Sequence, residues 1–284
     1  MIDITLTIDI HAMDRPEDIR YCNSWLKNKN IPATFLIPTA LLDTPHLAPC
    51  LKELDNGLHE IGTHAHHHSD EEKYLLQKGS KDSLGFLVES HKRFIDFFGY
   101  PPKSFRSPTW CYVNQQAFEI LHELGYQIDA SATPQRLGIF SPYPKQNPWL
   151  KTKRQPFFIY KNLLEIPTSC LIFPLGSPSF HTFRKWGSSL FLKTFIWEAQ
   201  ILHNPVINLM LHADDFVPTG PSQPKSPKRL SDLIPRTPGG ILAKHWIRET
   251  DRYKISQITY GLINQLHGHS FNTLSSLYDK VCPK

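Results

Sequence analysis

From Ile2 to Asp9 the chain alternates apolar Ile2, Ile4, Leu6 and Ile8 with Asp3, Thr5, Thr7 and Asp9. That period of two predicts a strand with one buried face, ending at Asp9. Arg15-Pro16-Glu17-Asp18 reads as a helix start, with proline in the first turn and acids favoured by the macrodipole, and the helix runs to about Asn28. A strand at Ala33 to Ile37, a helix from about Pro45 to Asp55 and a short strand at Leu58 to Ile61 follow. Next comes a long helix over about Lys81 to Phe98, on the stripe Leu84, Leu87, Val88, Phe94, Ile95 and Phe98. Lys103 to Arg106 is a further strand, and Gln115 to Leu124 a helix closed by Gly125. Strands alternating with helices imply a parallel α/β sheet.

The second half is less regular. Strands are expected near Phe157 to Tyr160, Leu163 to Ile166 and Val206 to Leu211, with a helix from about Trp186 to His203. A helix near Asp251 to Leu266, a strand near Ser270 to Leu274 and a closing helix complete the tail. A proline-rich stretch, about 217–238, carries Lys225, Lys228, Arg229 and Arg236 and reads as an exposed loop over one face, because the chain beyond it is too short for a separate core. A single domain over residues 1–284 is therefore expected, a size usual for an α/β barrel.

With 40% apolar and 20% charged residues, the composition is that of a globular protein and excludes a disordered or fibrous chain. No leader-like N-terminus or membrane-length apolar run is present, so a cytoplasmic location is expected. The five cysteines, Cys22, Cys50, Cys111, Cys170 and Cys282, are scattered and suggest neither a disulfide framework nor a cysteine zinc site. A formal charge of +5 would favour an anionic partner. The 15 histidines change the picture more, because His64, His66, His67 and His68 crowd five positions inside the chain, away from any terminal tag.

Polar clusters fall where strands end: Asp9-Ile10-His11, His64 to His68, Arg106-Ser107-Pro108 and His212-Ala213-Asp214-Asp215. In parallel barrels catalytic groups gather at the C-terminal strand ends, so four clusters point to one mouth. Each residue alone has a bland use: Asp9 as a capping acid, Arg106 as a surface charge, His212 as a core histidine. His59-Glu60-Ile61-Gly62-Thr63-His64 superficially matches a zincin helix, but it has one residue too many and a glycine in its middle.

The same four segments, in this order from Leu6 to Phe216, resemble the polysaccharide deacetylases, the NodB-homology or carbohydrate esterase family 4 group. The likeness rests on Leu6-Thr7-Ile8-Asp9-Ile10-His11, on Gly62-Thr63-His64-Ala65-His66-His67-His68, on Phe105-Arg106-Ser107-Pro108 and on Leu211-His212. It implies a distorted (β/α) barrel of about seven parallel strands, with His64 and His68 on a divalent metal. The family's usual pair of adjacent acids is interrupted here by Ile10. A sub-branch with the ligand two residues after the base places His11 at that position. Three imidazoles suit Zn²⁺ better than Mg²⁺ or Ca²⁺. By the same resemblance Asp9 is the catalytic base, Arg106 holds it ionised, and His212 is the acid that serves the leaving amine. His66 and His67 are expected to face solvent, with the alternative that one of them points inward. Trp110, Tyr112 and Asp214 are candidate substrate-binding residues. Trp110 and Tyr112 serve equally as core, and Asp214 or Asp215 is alternatively the residue that orients His212 or caps the next loop.

The implied activity is removal of an acetyl or formyl group from an amino sugar, either in a glycan or on a lipid carrier. Thr63-His64-Ala65 and His212-Ala213-Asp214 resemble the branch that deformylates a lipid-linked formamido-arabinose, which favours a lipid-linked or soluble intracellular sugar. The aromatic and basic stretch Phe180 to Ile201 would either pack on the barrel or rest peripherally on an anionic membrane surface at its inner face. Two other classes compete: an inactive carbohydrate-binding relative, and a metal- or nucleic-acid-binding protein. No nucleic-acid-binding signature supports the last, and no nucleic-acid partner is expected.

Overall fold

A computed structural model describes residues 1–136, 148–202, 206–220 and 250–282. Most of the proline-rich stretch, and His203, therefore lie outside the described residues. The strands are β1 (Asp3–Asp9), β2 (Thr34–Ile37), β3 (Glu60–Thr63), β4 (Ser104–Phe105), β5 (Ile128–Asp129), β6 (Phe157–Tyr160), β7 (Leu163–Glu165), β8 (Cys170–Leu171), β9 (Phe173–Pro174), β10 (Val206–His212) and β11 (Ser270–Asn272). The helices are α1 (Pro16–Asn28), α2 (Ala48–Lys52), α3 (Asp70–Lys78), α4 (Gly85–Phe98), α5 (Gln115–Glu123), α6 (Ser177–Ile201), α7 (Arg252–Gln265) and α8 (Leu274–Val281).

Seven strands run parallel in the order β10, β1, β2, β3, β4, β5, β7, with β6 antiparallel at the β7 edge and β11 beside the start of β1. The sheet curls until the run after β7 reaches β10. There the Ser169 N–H donates to the Asn208 carbonyl (2.9 Å), the Asn208 side-chain amide to the Ile166 carbonyl (3.2 Å), and the Met210 N–H to the Leu175 carbonyl (3.2 Å). This is the expected distorted (β/α) barrel.

β1 departs from its one-faced pattern, because Thr5 and Thr7 are as fully buried as Ile4, Leu6 and Ile8. It is a central parallel strand and has no solvent face. On its polar face the Thr7 hydroxyl donates to the Leu209 carbonyl (2.9 Å), whereas the Thr5 hydroxyl is buried without a hydrogen-bond partner. Two glycines let neighbouring strands close up. A side chain at Gly62 would lie 2.7 Å from the Ser104 carbonyl oxygen, and one at Gly176, where φ is +128°, only 1.8 Å from that of Met210.

Three elements differ from the sequence reading. α3 was not anticipated, although Ser69 and Glu72 form a capping box at its start. α2 is only Ala48–Lys52, preceded by a 3₁₀ turn at Thr39–Asp43. α6 begins at Ser177, nine residues before Trp186, with Arg184 breaking helical geometry at φ 55°, ψ −166°. Among the described residues no helix is long and apolar enough to cross a membrane.

Candidate active site

β1 and β3 deliver the first groups. Two residues beyond the end of β1, His11 turns back on itself, its N–H donating to the Asp14 carboxylate (2.8 Å). Beyond β3, the segment 64–68 takes two left-handed residues, Ala65 (φ 60°) and His68 (φ 58°), and folds into a tight loop. The Glu72 carboxylate fastens this loop by accepting the N–H groups of His67 (2.9 Å) and Ser69 (3.2 Å).

His66 supplies a second fastening: it is buried, the one of the pair that points inward, whereas His67 is exposed. The Ser90 hydroxyl donates to the Ala65 carbonyl (3.2 Å) and the Thr39 hydroxyl to Ser90 (3.0 Å). Thr39 can therefore only accept from His66 Nδ1, at 2.8 Å. His66 is the anchor of the loop that aims its neighbours.

His11, His64 and His68 converge. Their ligand nitrogens lie within 4.8 Å of one another, with ring centroids 5.9 Å (His11–His64), 5.0 Å (His11–His68) and 4.8 Å (His64–His68) apart. His64 Nδ1 lies 2.9 Å from the Arg106 carbonyl, an acceptor only, so the proton sits on Nδ1 and Nε2 keeps its lone pair. Nε2 of His68 is buried without a hydrogen-bond partner. Burial, and after it the other imidazoles, push His11 down to about 2. Burial likewise takes His64 to about 3 and lowers His68. All three rings are thus neutral at physiological pH, the state that ligates metal.

Arg106 is fully buried and spans three strand ends. Nη1 donates to Asp9 Oδ1 (2.7 Å), Nη2 to Thr7 Oγ1 (2.8 Å) and Nε to the Ala130 carbonyl (2.8 Å). Burial raises the Asp9 carboxyl, but the charge of Arg106, helped by the histidines, outweighs it and brings Asp9 to about 2. Its other oxygen, Oδ2, lies 3.9 Å from His64 Nε2. On the next strand His212 is the register partner of Asp9, and its ring centroid is 5.1 Å from that of His11. The mouth therefore gathers Asp9, His11, His64, His68, Arg106 and His212.

The substrate-binding candidates are more dispersed. Trp110 lies under the Arg136 guanidinium (4.9 Å) and accepts the Trp149 indole N–H on its carbonyl (3.2 Å). Tyr112 is 37% exposed and lines a cleft with Trp149, Lys151 and Tyr160. Asp214 lies 4.0 Å from Arg252. None of these contacts reaches the histidine trio.

Two comparisons bear on this arrangement. The polysaccharide deacetylase family model matches residues 2–128, which hold the Asp9, His11, His64, His68 and Arg106 positions. That match covers less than half of the chain and shows a likeness to the polysaccharide deacetylases over its N-terminal part. The whole chain shares its fold with a Mycobacterium smegmatis protein described as a polysaccharide deacetylase, at 12% identity and a TM-score of 0.64, covering 98% of this chain and 89% of that one. PuuE allantoinase follows at 11% identity and a TM-score of 0.61, covering 100% and 92%. A pseudoenzyme of the CE4 deacetylases from Bacillus anthracis matches at 11% and 0.53, covering 98% of this chain and 66% of that one. No curated protein sequence matches the chain. At these identities the deacetylase fold, and not a substrate, is what is shared.

Sequence reasoning missed Ser177, which reaches His212 Nδ1, and His181, which reaches Asp215, together with the buried pair Asp129 and Glu165. Ser177 and His181 open a helix whose start was set too late. Asp129 and Glu165 sit on strands too short to show a pattern.

Proposed function

We propose that the protein is a metal-dependent hydrolase that removes an N-acyl group, acetyl or formyl, from an amino sugar. The observation that carries this reading is the convergence of three neutral imidazoles beside an ionised, arginine-held carboxylate. The donor set fits a divalent ion of the zinc kind: His64 offers Nε2 with its tautomer fixed from behind, and His68 has a buried nitrogen without a partner. Three protein ligands leave a position open for chemistry. Bound there, such an ion supplies Lewis acidity, polarising an acyl oxygen and acidifying a water.

The remaining work belongs to the chain. Asp9 takes a proton through Oδ2, since Oδ1 is occupied by Arg106; its acidity makes it a weak base that needs an acidified partner. Arg106 keeps that carboxylate charged and aimed. His212, across the β1–β10 ladder, gives a proton to the departing amine. Trp110, Tyr112 and Asp214 are assigned to the sugar on the strength of sequence position. A lipid-linked sugar is the preferred substrate form, because α6 carries an exposed stripe of Trp186, Leu190, Trp197 and Ile201 flanked by Arg184, Lys185 and Lys193.

Metal content of untagged protein, measured by mass spectrometry, tests the reading. About one zinc per chain is expected, lost in a His64→Ala/His68→Ala double variant and reduced in His11→Ala, with matching loss of hydrolysis across a panel of N-acyl amino sugars. Wild-type protein that takes up no metal even after incubation with zinc would sink the mechanism. It would favour instead a sugar-binding relative in which His11 has replaced a needed carboxylate.

A further inference from the structure

His212 Nδ1 is met by a set of buried polar groups at the start of α6. Gly176 lets the chain cross β10 at Met210 with no room for a side chain, and α6 starts immediately after it. Ser177 and His181, four residues apart, share one helical face of that first turn, and both are buried. That face meets Asp215, itself 1% exposed, in the turn after β10.

The hydrogen bonds have a forced direction. The Asp215 carboxylate accepts the backbone N–H of His212 on Oδ2 (2.8 Å), and its Oδ1 lies 2.8 Å from His181 Nε2. The Ser177 hydroxyl, 3.3 Å from the same Oδ1, donates its one proton there. Burial raises the Asp215 carboxyl, but His181 outweighs it and keeps it ionised, so it has no proton to give back. With the hydroxyl proton directed at the carboxylate, His212 Nδ1, 3.1 Å from that hydroxyl, takes the part of donor. The chain runs His212 Nδ1–H to Ser177 O–H to Asp215, with His181 bracing the acid.

We propose that Ser177 is a positioning residue for His212: held by the Asp215–His181 pair, its hydroxyl accepts from Nδ1–H, so that the second proton, which makes His212 an imidazolium and is then passed to the departing amine, is taken up and released at Nε2. Orientation through a third group is general to histidine catalysis, but the intermediary here is a hydroxyl on a helix start, outside every segment that resembles the family. This assignment rests on the proposed hydrolase reading for its catalytic meaning, though not for its geometry. The other use of these groups, a cation site formed by His212, Asp214 and Asp215, has the required proximity. It competes with bonds that Asp215 already makes.

The experiment compares wild type, Ser177→Ala and Ser177→Thr, using ¹⁵N-histidine NMR of zinc-treated protein without substrate, with His212→Gln to assign the signal. The expected spectrum shows His212 protonated on Nδ1 in wild type and Ser177→Thr, and moved to the Nε2–H form or a mixture in Ser177→Ala. With an active substrate, kcat of Ser177→Ala is expected to fall about tenfold or more, with KM and metal content unchanged, and Ser177→Thr to recover most of it. Asp215→Asn, whose amide need not accept from Ser177, should give the same tautomer change. An Nε2–H His212 in wild type, or an unchanged tautomer in both Ser177→Ala and Asp215→Asn, would overturn the proposal. So would a second zinc per chain that disappears in Asp215→Asn. If no N-acyl sugar is hydrolysed while the tautomer responds as expected, the positioning geometry survives and the hydrolase reading fails.

Discussion

Arg106 is the side chain on which the most depends. Fully buried and bonded to β1 and to the residue after β5, it neutralises Asp9 where water cannot. Removing one partner of a buried ion pair strands the other, so Arg106→Ala is expected to cost about 3–5 kcal/mol of stability and abolish hydrolysis. Urea denaturation beside an activity assay checks both. Arg106→Lys should recover little, since one ammonium cannot reproduce three donors directed at Asp9, Thr7 and Ala130. At this scale the sequence was informative about identity and silent about orientation. Asp9, His11, His64, His68, Arg106 and His212 all meet as their strand-end positions suggested. His66 did not follow, because its burial depends on Thr39 and Ser90, from distant segments.

Among the elements, α6 carries two separable features. Its buried face, Ser188, Leu192, Phe195 and Ala199, packs inward, and the opposite face exposes Trp186 (87%), Leu190 (67%), Trp197 (67%) and Ile201 (62%). The exposed cations Arg184, Lys185 and Lys193 flank this stripe, while Glu198 is already paired with Arg154. The protein is therefore expected to sediment with vesicles containing phosphatidylglycerol and not with pure phosphatidylcholine, and Trp186→Ser/Trp197→Ser to weaken that binding several-fold. Equal behaviour towards both lipids would remove the membrane reading. At the other end of α6, Gly176→Ala should destabilise by about 1–3 kcal/mol, read by thermal melting, because a methyl group would collide with β10. The apolar periodicity located the body of α6 correctly but not its start, since residues 177–184 are fixed by contact with β10 and the turn after it.

For the molecule as a whole, one buried acid pair couples the barrel to pH. Asp129 and Glu165 are register partners on β5 and β7, both fully buried, and Asp129 Oδ2 and Glu165 Oε2 have no hydrogen-bond partner, an arrangement that favours one proton shared by the pair. Burial raises both carboxyls, Glu165 well above its ordinary value. Raised folded values mean that their stabilisation is complete below the unfolded range, near pH 4, and is lost as pH rises through the folded values. Asp129→Asn, which supplies a permanent donor, should flatten the decline in unfolding free energy as pH rises above the ordinary carboxylate range, measured by urea titration; an unchanged slope would remove the shared proton from the account. The sequence by itself determined the parallel α/β alternation, the strand ends at which polar groups fall and the ligand types, because periodicity and residue chemistry are local properties. Only the tertiary structure decided which nitrogens face one another, that β1 has no solvent face, that Ser177 reaches His212 and His181 reaches Asp215, and that Asp129 and Glu165 are buried side by side. Those facts arise when a curled sheet brings together segments far apart in the chain, Asp9 with His212 and Asp3 with Ser270, and no local pattern encodes that closure.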